Sequence, residues 1–464
     1  MQKISNQNNK TMKRFLLITM LALFILNVQA QDEKPKFGIS FSGFVKNDFF
    51  WDSRQNTSIR EGHFLLFPTG INRDVNGDDI NAKANFNFLS IQTRLTGKIT
   101  GPDAFGAKTS GVLEADFFGN ENAYFIDANG FRLRHAYVKL NWKTSELLFG
   151  QFWHPLFNAN SFPGVVSFNT GAPFQPFSRN PQIRYTQKLG NFNIIVAACS
   201  QRDFASPGGS SLPLRNSAIP DVSAQFQYGF KNDSTKTEFQ IGLGGGYKIL
   251  APRLNSEVTT TTIITPAYVI SDTAGNLHTI PAVTQSNTVK YKVKEQVGGF
   301  YAMLYAKYKC KPITAKLYGV YGQNIFDQVM LGGYVVSGTS NPLTGEKEYT
   351  PLNTLSTWAE IMTNGKKFQF GLFGGYTQNM GASDSIVDYS NTTRGADIKS
   401  IYRIAPRAVF ISGKFQFMAE LEWTSVFYAT KNEFGKLNRD AKGVVTKSAD
   451  VGNLRALFAV QYNF

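Results

Sequence analysis

Strict alternation of apolar and polar residues recurs in segment after segment of this chain, and a period of two is the pattern of a strand with two unlike faces. In FGISFSGFV, Phe37, Ile39, Phe41, Gly43 and Val45 alternate with Gly38, Ser40, Ser42 and Phe44. TEFQIGLGGGYK sets Phe239, Ile241, Leu243 and Tyr247 against Glu238, Gln240 and glycines, and KFQFMAELEWTSVFY and the closing NLRALFAVQYNF repeat the scheme. Almost no segment shows the i, i+3, i+4, i+7 spacing of a helix. Sixteen alternating segments are expected as strands, at about 37–51, 84–99, 106–118, 131–142, 145–152, 180–189, 191–201, 219–230, 236–250, 294–309, 312–325, 353–363, 366–380, 399–412, 413–430 and 450–464.

A soluble sandwich would show the same alternation, so the connections decide. Those after even-numbered segments are short, such as Lys143-Thr144, Leu189-Gly190, Lys311-Pro312 and Asn364-Gly365, whereas those after odd-numbered segments are long and polar, as at 52–83, 251–293 and 431–449. Long and short never exchange places. That asymmetry is the habit of an outer-membrane barrel, with short periplasmic turns and longer outside loops. The expected fold is therefore all-β: one transmembrane antiparallel β-barrel of about 16 strands over residues 31–464. An even count lets the first and last strands pair, leaving no open edge in lipid. Closure also accounts for a composition with 40 Phe and 14% aromatic residues but only 17% charged ones, because the aromatic faces meet hydrocarbon. A barrel of this size is expected to hold water.

Lys13 and Arg14 precede the apolar run FLLITMLALFIL and the small residues before Gln31, which spells a cleaved secretory signal over residues 1–30. The stretch before Phe37 leaves no room for a plug domain, so energy-coupled uptake is not expected. Cys199 and Cys310 stand 111 residues apart in strand-like segments, and two separate thiols are expected. The formal charge of +15 includes four basic residues of the signal segment and is otherwise spread along the chain, with no arginine-rich run that would track nucleic acid.

The third long connection, FWHPLFNANSFPGVVSFNTGAPFQPFSRNPQIRYTQ, carries four prolines between His154 and Pro176 and little charge. It reads as a stiff loop folded into the lumen, a constriction over about 153–179; a cap over the mouth or a subunit contact are the alternatives. Alternation also places charge. Arg94, Glu114, Asp116, Arg184 and Arg455 fall on inward positions, and Arg407 shares a strand face with Arg403. Arg132 and Arg134 lie where alternation breaks, so a bulge would redirect one of them. With Trp153, His154 and Arg179 in the constriction loop, these are the candidate pore-lining residues, and a row of cations in a low-dielectric wall favours anions. Mutual neutralisation across the lumen is the competing reading.

Several of these stretches carry a family likeness. The closing Tyr462-Asn463-Phe464 resembles the C-terminal signal by which barrel-assembly machinery recognises bacterial outer-membrane proteins. GQFW at 150–153, Asn169-Thr170-Gly171, RNPQIRYT at 179–186, RLRHAYVKL at 132–140 and EADFFG at 114–119 resemble the dicarboxylate-type (DcaP-like) outer-membrane porins, over the first half of the chain. That resemblance implies a homotrimer of sixteen-stranded barrels in outer-membrane lipid, with inward loops and small anionic solutes such as dicarboxylates. The helical N-terminal extension of some members is missing here.

No catalytic residues, cofactor or metal site are expected. The four histidines (His63, His135, His154 and His278) have no GxSxG or HExxH around them, and GLGGGY at 242–247 lacks the following helix and Lys-Ser/Thr of a phosphate loop. A surface receptor or adhesin without an open channel, using the Thr- and Ile-rich 251–293 loop, is the other class consistent with the pattern.

Overall fold

The computed structural model describes residues 37–119, 130–206, 210–389 and 392–464. The expected signal segment lies outside them, as does most of the second long connection. The chain forms a closed antiparallel barrel of sixteen strands. In order these are β1 (Gly38–Asp52), β2 (Asn85–Leu89, resumed at Arg94–Thr100), β3 (Lys108–Asp116), β4 (Arg132–Asn141), β5 (Ser145–Trp153), β6 (Arg179–Leu189), β7 (Phe192–Cys199) and β8 (Asp221–Asn232). The second half comprises β9 (Thr237–Leu250), β10 (Val297–Lys309), β11 (Ile313–Gln323), β12 (Glu346–Thr363), β13 (Phe368–Ala382), β14 (Ile398–Ser412), β15 (Phe415–Ala429) and β16 (Ser448–Asn463). Every segment marked from alternation corresponds to one strand.

The seam closes between β1 and β16, which pair from Phe44 with Asn463 to Asp52 with Arg455. Phe464 completes it, its N–H donating to the Gly43 carbonyl at 3.1 Å. Together with the Gly43 N–H donating to the Phe464 carbonyl at 3.3 Å, that bond extends the seam by one residue pair.

Side chains sort as the period of two requires. Phe41, Val45, Phe49 and Trp51 of β1 are exposed on the outside while Lys46, Asp48, Phe50 and Asp52 are buried within. In β16, Phe458 and Tyr462 face out and Asn453, Arg455, Leu457 and Ala459 face in. On the outer surface Phe49 makes an edge contact with Phe88, ring centroids 4.9 Å apart. Glycines on the inner face make room for neighbours: a Cβ on Gly242 would lie 2.5 Å from the Tyr305 ring, and one on Gly375 would lie 2.5 Å from Phe174. These inner-face glycines therefore let large rings lie flat against the wall.

Two features depart from the expectation. The 251–293 connection is not irregular: Asn255–Thr265 pairs with Val283–Lys292, and Tyr268–Ser271 with Leu277–Ile280, forming an exposed ribbon. Its run of β-branched residues, VTTTTIIT, favours extended backbone and was the available signal. The upper lumen is also not simply water-filled. Phe64, Leu66, Phe118, Leu156, Phe157, Phe168, Phe174, Phe177, Ile325 and Leu331 form one buried apolar cluster with inward rings of the wall. Three long connections enter the barrel to make it: part of 53–84, the 154–178 loop, and the segment after β11. The segments FLLFP and IFDQVML, apolar runs inside supposedly wet loops, mark two of these entries in the sequence.

Candidate functional site: the lumen and its inserted loop

The loop between β5 and β6 crosses the barrel interior and binds the far wall through its own backbone. Gly164 N–H donates to Glu360 at 2.8 Å, Val166 and Ser167 N–H donate to the two oxygens of Glu420 at 2.7 and 3.0 Å, and the Asn169 amide donates to Glu422. Its carbonyls accept in turn: Phe162 from Lys316, Val166 from Lys46 and Ala172 from Arg403, at 2.7–2.8 Å. A proline-rich loop with no charged side chain between Pro155 and Ser178 has many backbone groups to satisfy when buried. The acids and bases of β1, β11, β12, β14 and β15 satisfy them.

The same residues neutralise each other on this anchoring wall. Arg407 lies 2.7 Å from Glu360, Arg403 3.1 Å from Glu422, Arg455 2.7 Å from Asp52 and Lys46 2.9 Å from Asp48. Five cations (Lys46, Lys316, Arg403, Arg407, Arg455) thus pair with four carboxylates (Asp48, Asp52, Glu360, Glu422), Lys316 and Arg407 sharing Glu360, while the fifth carboxylate, Glu420, accepts from the loop N–H groups. Arg403 also donates to the Leu66 carbonyl and Arg455 to the Gly62 carbonyl, which ties the first long connection to the same wall. His63, from that connection, stacks between Phe50 and Phe118 and bonds Asp48 at 3.0 Å.

The opposite wall, from β2 to β6, is built differently. Arg134 reaches Glu114 at 2.8 Å and Asp116 at 2.9 Å, and Arg132 holds Asp116 with two parallel bonds of 3.0 and 2.8 Å. Arg94 stands 3.8 Å from Glu114, and Arg179 binds Asp203 at 2.6 Å. The register between β3 and β4 slips between Glu114, opposite His135, and Ala115, opposite Leu133, with Arg134 as the extra residue; this bulge lets Arg132 and Arg134 share these acids. Arg184 has no carboxylate within 4 Å among the described residues; it bonds the Trp153 carbonyl and Gln182 and lies 5.0 Å from the Phe152 ring centre. Among the described residues, five guanidiniums therefore face three carboxylates, leaving two positive charges in surplus. Asp203, in the connection after β7, is raised by burial but lowered more by Arg179 and Arg132, so its pKa sits below the ordinary value.

The candidate residues thus divide. Arg94, Glu114, Arg132 and Arg184 keep part of their side chains accessible in the lumen, whereas Asp116 is sealed beneath Arg132 and Arg134. Trp153 stacks on Phe157 at 3.8 Å and sits beneath Arg179. The expectation that Arg134, Arg179, Arg407, Arg455 and His154 face water does not hold: all five are buried. His154 instead anchors the loop's start, with Nε2 3.2 Å from Asp221 and Nδ1 accepting the Leu156 N–H. Sequence reasoning did not single out Asp203, Glu360, Glu420 or Glu422. The last three stood on inward positions of their strands, but their partners lie about 200 residues or more away in the chain. Cys199 and Cys310 are both free.

A closed sixteen-stranded barrel with long connections folded inward is the porin type of fold. Among solved structures it is similar to the outer-membrane channel DcaP of Acinetobacter baumannii, at 15% identity and a TM-score of 0.60 over 92% of this chain and 97% of that one. It is also similar to an anion-selective porin from Comamonas acidovorans, at 13% identity and a TM-score of 0.50 over 92% of this chain and all of that one. At these identities the likeness is one of fold. No protein-family model and no curated protein matches the sequence.

Proposed function

We propose that this chain is an outer-membrane porin of the dicarboxylate-channel kind, through which small hydrophilic, preferentially anionic solutes diffuse passively. The basic wall is the observation that carries this reading: among the described residues, two positive charges on β2 to β6 exceed the carboxylates beside the inserted loop, and Arg184 has no carboxylate partner. Charge of one sign along a low-dielectric wall raises the local concentration of counter-ions and lowers that of co-ions. The loop over 153–179 acts as the constriction, since it narrows the lumen opposite that wall. The fold likeness to DcaP and to a porin whose own name is anion-selective supports the assignment. With it go a homotrimer in the Gram-negative outer membrane, export by a cleaved signal over residues 1–30, and insertion through Tyr462 and Phe464. The role is transport, with no catalysis, cofactor or metal.

A surface receptor or adhesin without an open channel is the second reading, favoured by the apolar cluster that packs the upper lumen. Planar-bilayer recording on the purified protein separates the two. Discrete conductance steps with a reversal potential on the anion side are expected; a folded barrel that passes no current would leave the receptor.

A further inference from the structure

At the long-loop end, a polar cavity of about 270 Å³ opens between the first long connection and the tops of β1 and β2, away from the basic wall. Its lining is dominated by amides whose orientation is fixed by chemistry. Backbone carbonyls only accept, so the partners of these side chains must be their NH2 groups. Asn56 and Asn85 both donate to the Arg54 carbonyl, at 3.0 and 3.1 Å, Gln55 donates to that of Lys83 and Asn87 to that of Glu61. Each NH2 keeps one further N–H, and the Asn87 oxygen already accepts from the Phe88 N–H at 2.8 Å, so the amide oxygens left for a ligand are those of Gln55, Asn56 and Asn85. The Asn56 Oδ1 is buried without a partner, and Glu61 enters no ion pair among the described residues. Asp52, the other acid of the lining, is already used by Arg455 and Asn453. The turn that presents Glu61 is left-handed at three successive residues, φ being 58° at Arg60, 55° at Glu61 and 84° at Gly62. Such backbone persists where its surroundings impose it, often at binding sites.

We infer that this cavity binds a single hydroxyl-rich sugar ring. Neighbouring hydroxyls supply the several donors that the oriented amide oxygens and Glu61 lack. Its volume falls just below the range of about 300–1,000 Å³ that holds drug-sized ligands. The Arg455 guanidinium also lines the cavity and stands against a cationic occupant, which leaves a neutral ring. A hard metal ion would need more free carboxylate than Asp52 can give. The ring can come from a free sugar or from the glycan of a surface lipid, and the binding does not depend on the barrel conducting.

The test is calorimetric titration of the full-length protein in detergent micelles with D-glucose, D-galactose, N-acetylglucosamine and, as a cationic control, ethanolamine. Vesicles bearing a glycolipid form a separate arm. Saturable binding of at least one sugar is expected, tighter in the vesicle arm if the natural source is lipid-borne. Glu61→Gly removes the carboxylate while suiting the left-handed backbone, so the fold is kept; it and Asn56→Leu should each weaken binding at least tenfold. Absence of saturable sugar binding in both arms, binding of ethanolamine in place of sugar, or an undiminished response in folded Glu61→Gly would overturn the inference.

Discussion

Along β2 to β6, five guanidiniums share three carboxylates and several keep a face to the lumen. Across the barrel, from β11 round to β1, five cations and five carboxylates cancel, and nearly all are covered. The residue types are the same; the difference lies in what covers them. On the covered wall the charges satisfy the backbone of an inserted loop that has no charged side chain of its own between Pro155 and Ser178. On the basic wall loop backbone takes up little of the charge, Arg184 bonding only the Trp153 carbonyl, and the surplus is what we propose acts on solutes.

The widest separation between the walls should come from Arg403→Leu. It strands Glu422 and the Ala172 and Leu66 carbonyls, and breaking a buried pair from one side costs roughly 3–5 kcal/mol. A lowered denaturant midpoint and noisy, enlarged conductance from the loosened loop are the expected outcomes, with ion preference unchanged. Next in size is Glu420→Ala, which removes the acceptor of two loop N–H groups. Charge-assisted bonds of this kind contribute about 1.5–3 kcal/mol each, so the loop should become open to protease while the barrel stays closed. A loop still protected in that variant would show that the apolar cluster alone holds it.

Substitutions on the basic wall should do the reverse. Glu114→Gln raises the surplus from two charges to three and should strengthen anion preference in a salt gradient, although stability falls because Arg134 loses a partner. A smaller effect is expected from pH at Asp203. Its folded pKa is depressed, so its contribution is present above the unfolded value of about 3.9 and disappears as pH falls through the folded one. Hydrogen exchange at the start of the connection after β7 should therefore stay slow at pH 5 and accelerate only in stronger acid. Acceleration already between pH 7 and 5 would mean that Arg179 does not hold this carboxylate.

The barrel was legible because lipid on one side and water or packed loops on the other impose a period of two that every strand repeats, and because turn lengths alternate with it. Inward positions followed directly, as for Arg94, Arg184 and Glu114, and the break near Arg132 announced the bulge. Which inward charges are covered was not legible. Arg455 and Arg184 occupy equivalent positions in their strands, yet one lies under the Gly62 carbonyl and the other beside an open ring. That difference arises from connections returning from distant parts of the chain. Only apolar runs such as FLLFP hinted that they fold inward.

The central claim is that the uncompensated basic wall sets selectivity, and the reversal potential of Arg184→Gln in a potassium chloride gradient tests it most directly. The parent protein should reverse on the anion side and Arg184→Gln should move clearly toward zero with its unfolding free energy within about 1 kcal/mol of the parent, as for a partly exposed residue. A cation-side reversal in the parent, or an unmoved potential in the variant, would contradict it.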